Sequence, residues 1–165
     1  MNVTFAPRGI LQIDDARIIF RNFTGRGDKF NREGDRNFAV VIEDMDIAQA
    51  MINEGWNVKI KPGDDREELP FMYLSIKVKF NGRGPSVYLE SNGIVNKLDE
   101  EDVECLDDID IISVDLDIRP YDWEVNGKTG RTGYLQSMHV TQRVDRFAER
   151  YMQSPKKVDS EVMPF

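Results

Sequence analysis

The sequence is poor in the residues that carry out covalent and metal chemistry. Of its 165 residues one is cysteine, Cys105, and one is histidine, His139. A single thiol excludes an intramolecular disulfide, and one thiol with one imidazole is too few ligands for a structural zinc site. Long apolar runs are also missing: stretches such as Ile109–Val114 are short and broken by Asp or Ser. The N-terminus lacks a charged stretch leading into an apolar one and a cleavage site. No membrane span or secretion signal is therefore expected, and a reducing cytoplasm is the expected compartment. Internal repeats and low-complexity tracts are absent. What is present is a chain with 40% hydrophobic residues, enough for one core and too little for two comfortable domains. The reading is one domain over residues 1–152 followed by a flexible acidic and aromatic tail over 153–165.

The net charge of −8 argues against a polyanionic partner only if it is spread evenly, and it is not. Asp99 to Asp117 holds ten acidic residues and no basic one, which leaves the remainder of the chain at +2. Arg17 to Arg36 holds six basic residues against three acidic. The acidity and the basicity are both local, so the chain is expected to present one basic face and a repelling back.

Periodicity predicts mostly strands. Ala16–Phe23 and Asn37–Ile42 read as two of them. The linker Thr24–Arg36 between them holds three Gly, four basic residues and Phe30. Its length suits a functional loop better than a tight hairpin, with a disordered surface insertion as the alternative. Asp46, with Gln49 three residues on, predicts a helix N-cap, and Glu54-Gly55 its stop. A strand is expected at Trp56–Ile60 and another at Val87–Glu90, with a short acidic helix over Asp99–Leu106. Along Phe71–Phe80, Met72, Leu74, Ile76, Val78 and Phe80 alternate with Tyr73, Ser75, Lys77 and Lys79. Ile112, Val114, Leu116 and Ile118 likewise alternate with Ser113, Asp115, Asp117 and Arg119, and the outward phase continues into Tyr121 and Trp123. Asn126-Gly127 predicts a turn into a partner strand, Tyr134–Gln142. Val144, Phe147, Ala148 and Tyr151 fall at helical spacing before Ser154-Pro155.

The outward faces carry the chemistry. Single strands are bound by cations that track phosphates and by flat rings on which unpaired bases stack, each stack worth about 1–3 kcal/mol. Arg17, Arg21 and Phe23 are expected to share one strand face, Tyr73, Lys77 and Lys79 a second, and Arg119, Tyr121 and Trp123 a third. Arg26, Lys29, Phe30, Arg32 and Arg36 belong to the long loop and its end, Lys128 and Arg131 to the last hairpin. A single such face is ordinary solvated surface. Its repetition on three strands points to single-stranded nucleic acid, with no cofactor. The chain end adds Asp159, Glu161, Met163, Pro164 and Phe165: a terminal ring able to fill an apolar pocket, with carboxylates to meet basic residues around it.

Acidic residues followed by Met163-Pro164-Phe165 resemble the acidic tip of bacterial single-stranded-DNA-binding proteins, which docks onto replication and repair partners. Here only two acids precede the apolar triplet, and Lys156 and Lys157 lie just upstream. The body differs from the bacterial barrel. Its order is a basic Gly-containing loop, Asn37–Glu43, a helix, Gly55-Trp56-Asn57-Val58-Lys59, then Ile118 to Lys128. This layout resembles phage-encoded OB-fold single-stranded-DNA-binding proteins over roughly residues 10–142. The resemblance implies a mainly β fold: an OB-like five-stranded barrel with one or two short helices and a flexible C-terminal tail. It implies that Arg17–Arg36 and Arg119–Gln142 are hairpins bordering the binding groove. It also implies a non-catalytic role in phage DNA replication or recombination inside a bacterial host, with partner proteins recruited through the tip. A homo-oligomer is compatible with that role.

Other motifs carry less. Gly127-Lys128-Thr129 lacks the Gly that a phosphate loop needs at position 122, which is Asp. Arg26-Gly27-Asp28 is a chance tripeptide in a cytoplasmic chain. Asp115 and Asp117 share a strand face, but no further ligand at fixed spacing completes a Mg²⁺ site. His139, alternating with Leu135 and Ser137, reads as a packed barrel residue. The rival to nucleic-acid binding is a protein-interaction module, an inhibitor or adaptor of a host protein, on the same scaffold. Tyr121 and Trp123 beside Lys and Arg favour DNA, whereas the same rings in a charge-free apolar patch would favour protein.

Overall fold

The computed structural model of the chain describes residues 1–62 and 71–144. The N-terminal part forms β1 (Asn2–Phe5), β2 (Leu11–Ala16), β3 (Ile18–Asn22) and β4 (Arg36–Ile42). The helix α1 (Met45–Asn53) and the short β5 (Lys59–Lys61) follow. Then come β6 (Phe71–Val78), β7 (Ser86–Ser91), β8 (Ile94–Leu98), a 3-10 turn at Val103–Asp107, and the long strands β9 (Ile111–Val125) and β10 (Lys128–Gln142). Among the described residues ten strands join one sheet. Neighbours run β1-β2-β9-β10-β6-β4-β3, with β5 on β6 and the β7–β8 hairpin on β10. β10 is parallel to β6 and to β7, and every other pairing is antiparallel.

The inward side chains merge into one core that includes Leu11, Ile13, Phe38, Val40, Met51, Trp56, Ile76, Ile118 and Val140. Burying each such side chain contributes about 1.5–3 kcal/mol. α1 adds Ala48 and Met51 to this core. Its N-cap is Asp44, not Asp46: the Asp44 carboxylate accepts the Asp46 N–H at 2.6 Å. The helix ends where Gly55 takes a φ of +104°. Trp56, expected at the start of a strand, is a core residue, and the strand begins at Lys59. The acidic helix expected over Asp99–Leu106 is shorter, a 3-10 turn burying Val103 and Leu106. The last hairpin turns at Asn126-Gly127, with φ of +51° and +78°, the left-handed pair that a two-residue turn needs. Asn92-Gly93 repeats this turn between β7 and β8 with φ of +52° and +80°, and β8 is a strand the periodicity did not predict. Beyond Val144, the expected closing helix and the tail lie outside the described residues.

Bulges, rather than propensity, account for the largest departures from expectation. The strand read as Ala16–Phe23 is two strands, and between Ile19 and Asn22 its register against β4 shifts, with Phe20 at a φ of +52°. The shift reverses the phase: Phe20 is 58% exposed, whereas Phe23, expected on the outer face, is fully buried and stacks on Phe38 at 5.2 Å. Between Thr141 and Gln142 β9 holds an extra residue, Ile112, which is 57% exposed and not part of the core. A third shift between Leu135 and Ser137 sets His139 on the outer face, opposite Asp115 and 3.4 Å from Glu90.

Candidate nucleic-acid interface

Cross-strand register brings the second and third predicted faces together. Arg119 pairs with Tyr134, Tyr134 with Lys77, Lys77 with Asn37, and Asn37 with Asn22. One row of outward side chains therefore crosses β9, β10, β6, β4 and β3. Arg119 lies over the Tyr134 ring at 5.8 Å, and Tyr121 meets the same ring edge-on at 6.2 Å. Trp123 continues the phase along β9 and lies across Gly130, where a Cβ would collide with the indole. Tyr121 is 57% exposed and Trp123 39%, so both rings remain open to a ligand.

A second row contains Tyr73, paired with Val41 on one side and Lys59 on the other. The exposed Arg17 extends it, its carbonyl accepting the Val41 N–H at 2.9 Å. Around Tyr73 the structure assembles a cluster that the sequence did not disclose. Phe20 meets Tyr73 edge-on at 5.5 Å, Phe71 lies 5.6 Å from it, and the Lys59 and Lys61 ammonium groups sit 5.8 and 5.9 Å from the Tyr73 ring. Rings flanked by cations are what stacked bases and their phosphates require.

The long loop is ordered by its own side chains, contrary to the disordered alternative. The Asn22 carboxamide accepts the Gly25 and Arg26 N–H groups at 3.0 and 2.9 Å, and Glu33 accepts Gly27 N–H at 2.7 Å. Arg26, Lys29 and Arg32 project into solvent, and Phe30 is 92% exposed beside Lys29. Between the loop and β6 lies a concavity of about 810 Å³ lined by Phe30, Arg36, Lys77, Lys79 and Phe80.

Three predicted arginines do other work. Arg21 donates to the Leu106 and Ile109 carbonyls at 2.7 and 2.8 Å, fastening the acidic turn to β3. Arg36 donates to the Phe23 carbonyl at 2.9 Å and pairs with Glu100. Arg131 packs on Trp56, donates to the Glu54 carbonyl at 2.7 Å and binds Asp122 at 2.6 Å, so it ties the last hairpin to the end of α1. Lys128 is exposed next to the hairpin turn. Asp107 of the acidic segment accepts from Phe23 N–H, Thr24 N–H and Thr24 Oγ1 at 2.7 to 3.0 Å, fixing the base of the loop. Asp115 and Asp117 lie on the other half of β9, opposite His139 and Ser137. Among the described residues no group of three or more His, Cys, Asp or Glu could hold a metal, and no helix is long and apolar enough to cross a membrane. The proposed tip, Asp159 to Phe165, lies outside the described residues.

The Arg131 hydrogen bond holds the Asp122 carboxyl below its ordinary value of 3.8. A carboxyl lowered by folding stabilises above its unfolded pKa and loses that contribution as pH falls through the folded one. Asp122→Asn is therefore expected to be slightly less stable than the native chain at neutral pH and equal to it in strong acid. Paired urea titrations at pH 7 and pH 2 check this, and a gap that is unchanged at pH 2 counts against it.

Of the residues the outward-phase argument missed, Tyr134, Lys59 and Lys61 had a legible signal, since each is an aromatic or a cation on or beside a predicted strand. Phe71 had one too, since it opens a predicted strand in phase with Tyr73, but Phe20 had none. Phe20 reads as core until the bulge is seen.

Comparison with known proteins bears on the fold and the family. No curated protein matches the chain. Three solved structures of the single-stranded DNA-binding protein from bacteriophage Enc34 share its fold. The C-terminal truncation matches with a TM-score of 0.59 and 12% identity over 87% of this chain and 91% of that one. The complex with single-stranded DNA matches with a TM-score of 0.55 and 14% identity over 88% and 93%. The third structure matches with a TM-score of 0.55 and 15% identity over 90% and 89%. The model of the phage single-stranded-DNA-binding domain family matches residues 2–164. With nearly the whole chain matched, this protein belongs to that phage single-stranded-DNA-binding domain family, whose members are binding modules rather than enzymes.

Proposed function

We propose that the outer face of β3, β4, β6, β9 and β10, with the Thr24–Asp35 loop, is where this chain holds single-stranded DNA. The observation that carries the reading is the row Arg119, Tyr134, Lys77, Asn37, Asn22, which joins rings and cations from separate strands into one path. Lys59, Lys61, Lys77, Arg17 and Arg119 neutralise phosphates, and Tyr73, Phe20, Tyr121, Trp123 and Phe30 offer stacking surfaces. Cations beside the rings favour this reading over the protein-interaction rival. The complex of the Enc34 protein with single-stranded DNA supports it at the level of the fold.

An OB-like barrel is the scaffold we infer. The circuit β2–β3, β4, β6, β10, β9 fits it: β2 pairs with β9 and β3 with β4, so one bent strand at Arg17 would join both ends. The parallel contact of β10 with β6 suits that circuit. Residues 1–152 form the binding domain in this reading. Residues 153–165 form a tail whose Asp159, Glu161, Met163, Pro164 and Phe165 recruit replication or recombination proteins in the cytoplasm of an infected bacterium.

A titration of labelled single-stranded and duplex oligonucleotides tests the proposal. Single strands are expected to bind more tightly, because stacking needs bases already unpaired. If about four phosphates are neutralised, log K falls with a slope of about −3 against log salt. Equal affinity for duplex, or no salt dependence, would sink the reading in favour of a protein partner.

A further inference from the structure

Phe30 stands between two concavities. On one side is the space of about 810 Å³ that also reaches Lys77 and Phe80, and on the other a space of about 520 Å³ bordered by Phe20 and Arg26. The Phe30 ring is 92% exposed. The Asp28 carboxylate accepts the Phe30 and Asn31 N–H groups at 2.7 and 2.8 Å, which turns the backbone outward at the ring. The next residue, Asn31, is half-buried, and its Nδ2 donates to the Arg26 carbonyl at 2.7 Å and the Asp35 carbonyl at 3.0 Å, tying the two arms of the loop together. Its Oδ1 accepts from Asn37 Nδ2 at 3.0 Å, and Asn37 belongs to the row that crosses the sheet. The carboxamide therefore connects the loop tip to the strand face.

Resting on the DNA-binding reading above, we infer that Phe30 is a wedge between two successive unpaired bases and that Asn31 is the positioning residue that holds it out. With the ring already in place, the incoming strand does not have to order the loop, so the stacking contribution reaches affinity undiminished. Bases on the two sides of the ring occupy the two concavities, each with a cation near enough to meet a phosphate. Lys77 serves one side and Arg26 the other.

The test compares an oligothymidylate with an abasic oligonucleotide of equal length, which keeps the phosphates and removes the bases, by fluorescence anisotropy on the full chain. Phe30→Ala is expected to weaken oligothymidylate binding about tenfold and leave abasic binding unchanged. Asn31→Leu, close in shape and uncharged but unable to donate, is expected to show the same selective loss. The double variant should bind no more weakly than Phe30→Ala alone. A general loosening of the fold would lower both affinities together, so equal losses on the two oligonucleotides overturn the positioning role. Independent, multiplying losses in the double variant overturn it too. Unchanged oligothymidylate binding by Phe30→Ala overturns the wedge. Failure of the native chain to bind either oligonucleotide overturns the nucleic-acid reading itself and this inference with it.

Discussion

Replacing Phe23 by Ala is expected to cost about 3–5 kcal/mol of folding stability, the range for removing a large buried aromatic. Phe20→Ala, three positions earlier, is expected to leave stability nearly unchanged and to weaken single-strand binding about tenfold. The contrast follows from the bulge in β3. Phe23 is fully buried and stacked on Phe38, so its loss opens a cavity that neighbouring strands cannot close. Phe20 is 58% exposed and contributes an edge to the Phe71 and Tyr73 rings on the outer face. Chemical denaturation and an oligonucleotide titration on both variants give the two readouts. If Phe20→Ala unfolds the chain while Phe23→Ala is well tolerated, the faces of β3 are the reverse of those described.

Neutralising Lys59, Lys61 and Lys77 together, as Gln, is expected to flatten the salt dependence of binding. Each single-strand phosphate contact contributes about 0.7 to the slope of log K against log salt, so a slope near −3 becomes about −1. The affinity gap between native and triple variant then widens about a hundredfold for each tenfold reduction in salt. All three lysines are exposed, and none forms an ion pair with a carboxylate among the described residues. The melting temperature should therefore hold. A triple variant that keeps the native slope would mean the phosphates run elsewhere, with Arg119, Lys128 and the last hairpin as the alternative path.

Much of the chain's character is legible along one dimension. The alternation of Met72, Leu74, Ile76 and Val78 against Tyr73, Ser75 and Lys77 assigns both faces of β6, and the structure agrees. Asn126-Gly127 marks the last hairpin for a local reason, since both residues tolerate the left-handed backbone of the turn. Asn92-Gly93 carries the same local information for the β7–β8 hairpin. The uneven distribution of charge separates a basic loop from an acidic segment along the chain. These features depend on residues within a few positions of one another, and the sequence by itself determines them.

Tertiary structure decided the rest, because it turned on which strand lies beside which. A bulge is an extra residue counted against a partner strand, so the reversal that exposes Phe20, buries Phe23 and puts Ile112 outside has no signature in the strand's own letters. The fate of the arginines was equally remote. Arg21, Arg36 and Arg131 resemble Arg17 and Arg119 in sequence, but carbonyls 85, 13 and 77 positions away claim their guanidinium groups. A charged fork becomes structural or free for a ligand according to which unpaired acceptors the fold brings within about 3 Å of it. The path itself, from Arg119 through Tyr134 and Lys77 to Asn37, exists only once β10 lies parallel to β6. Composition supplied the rings and the cations, and strand pairing placed them in one row.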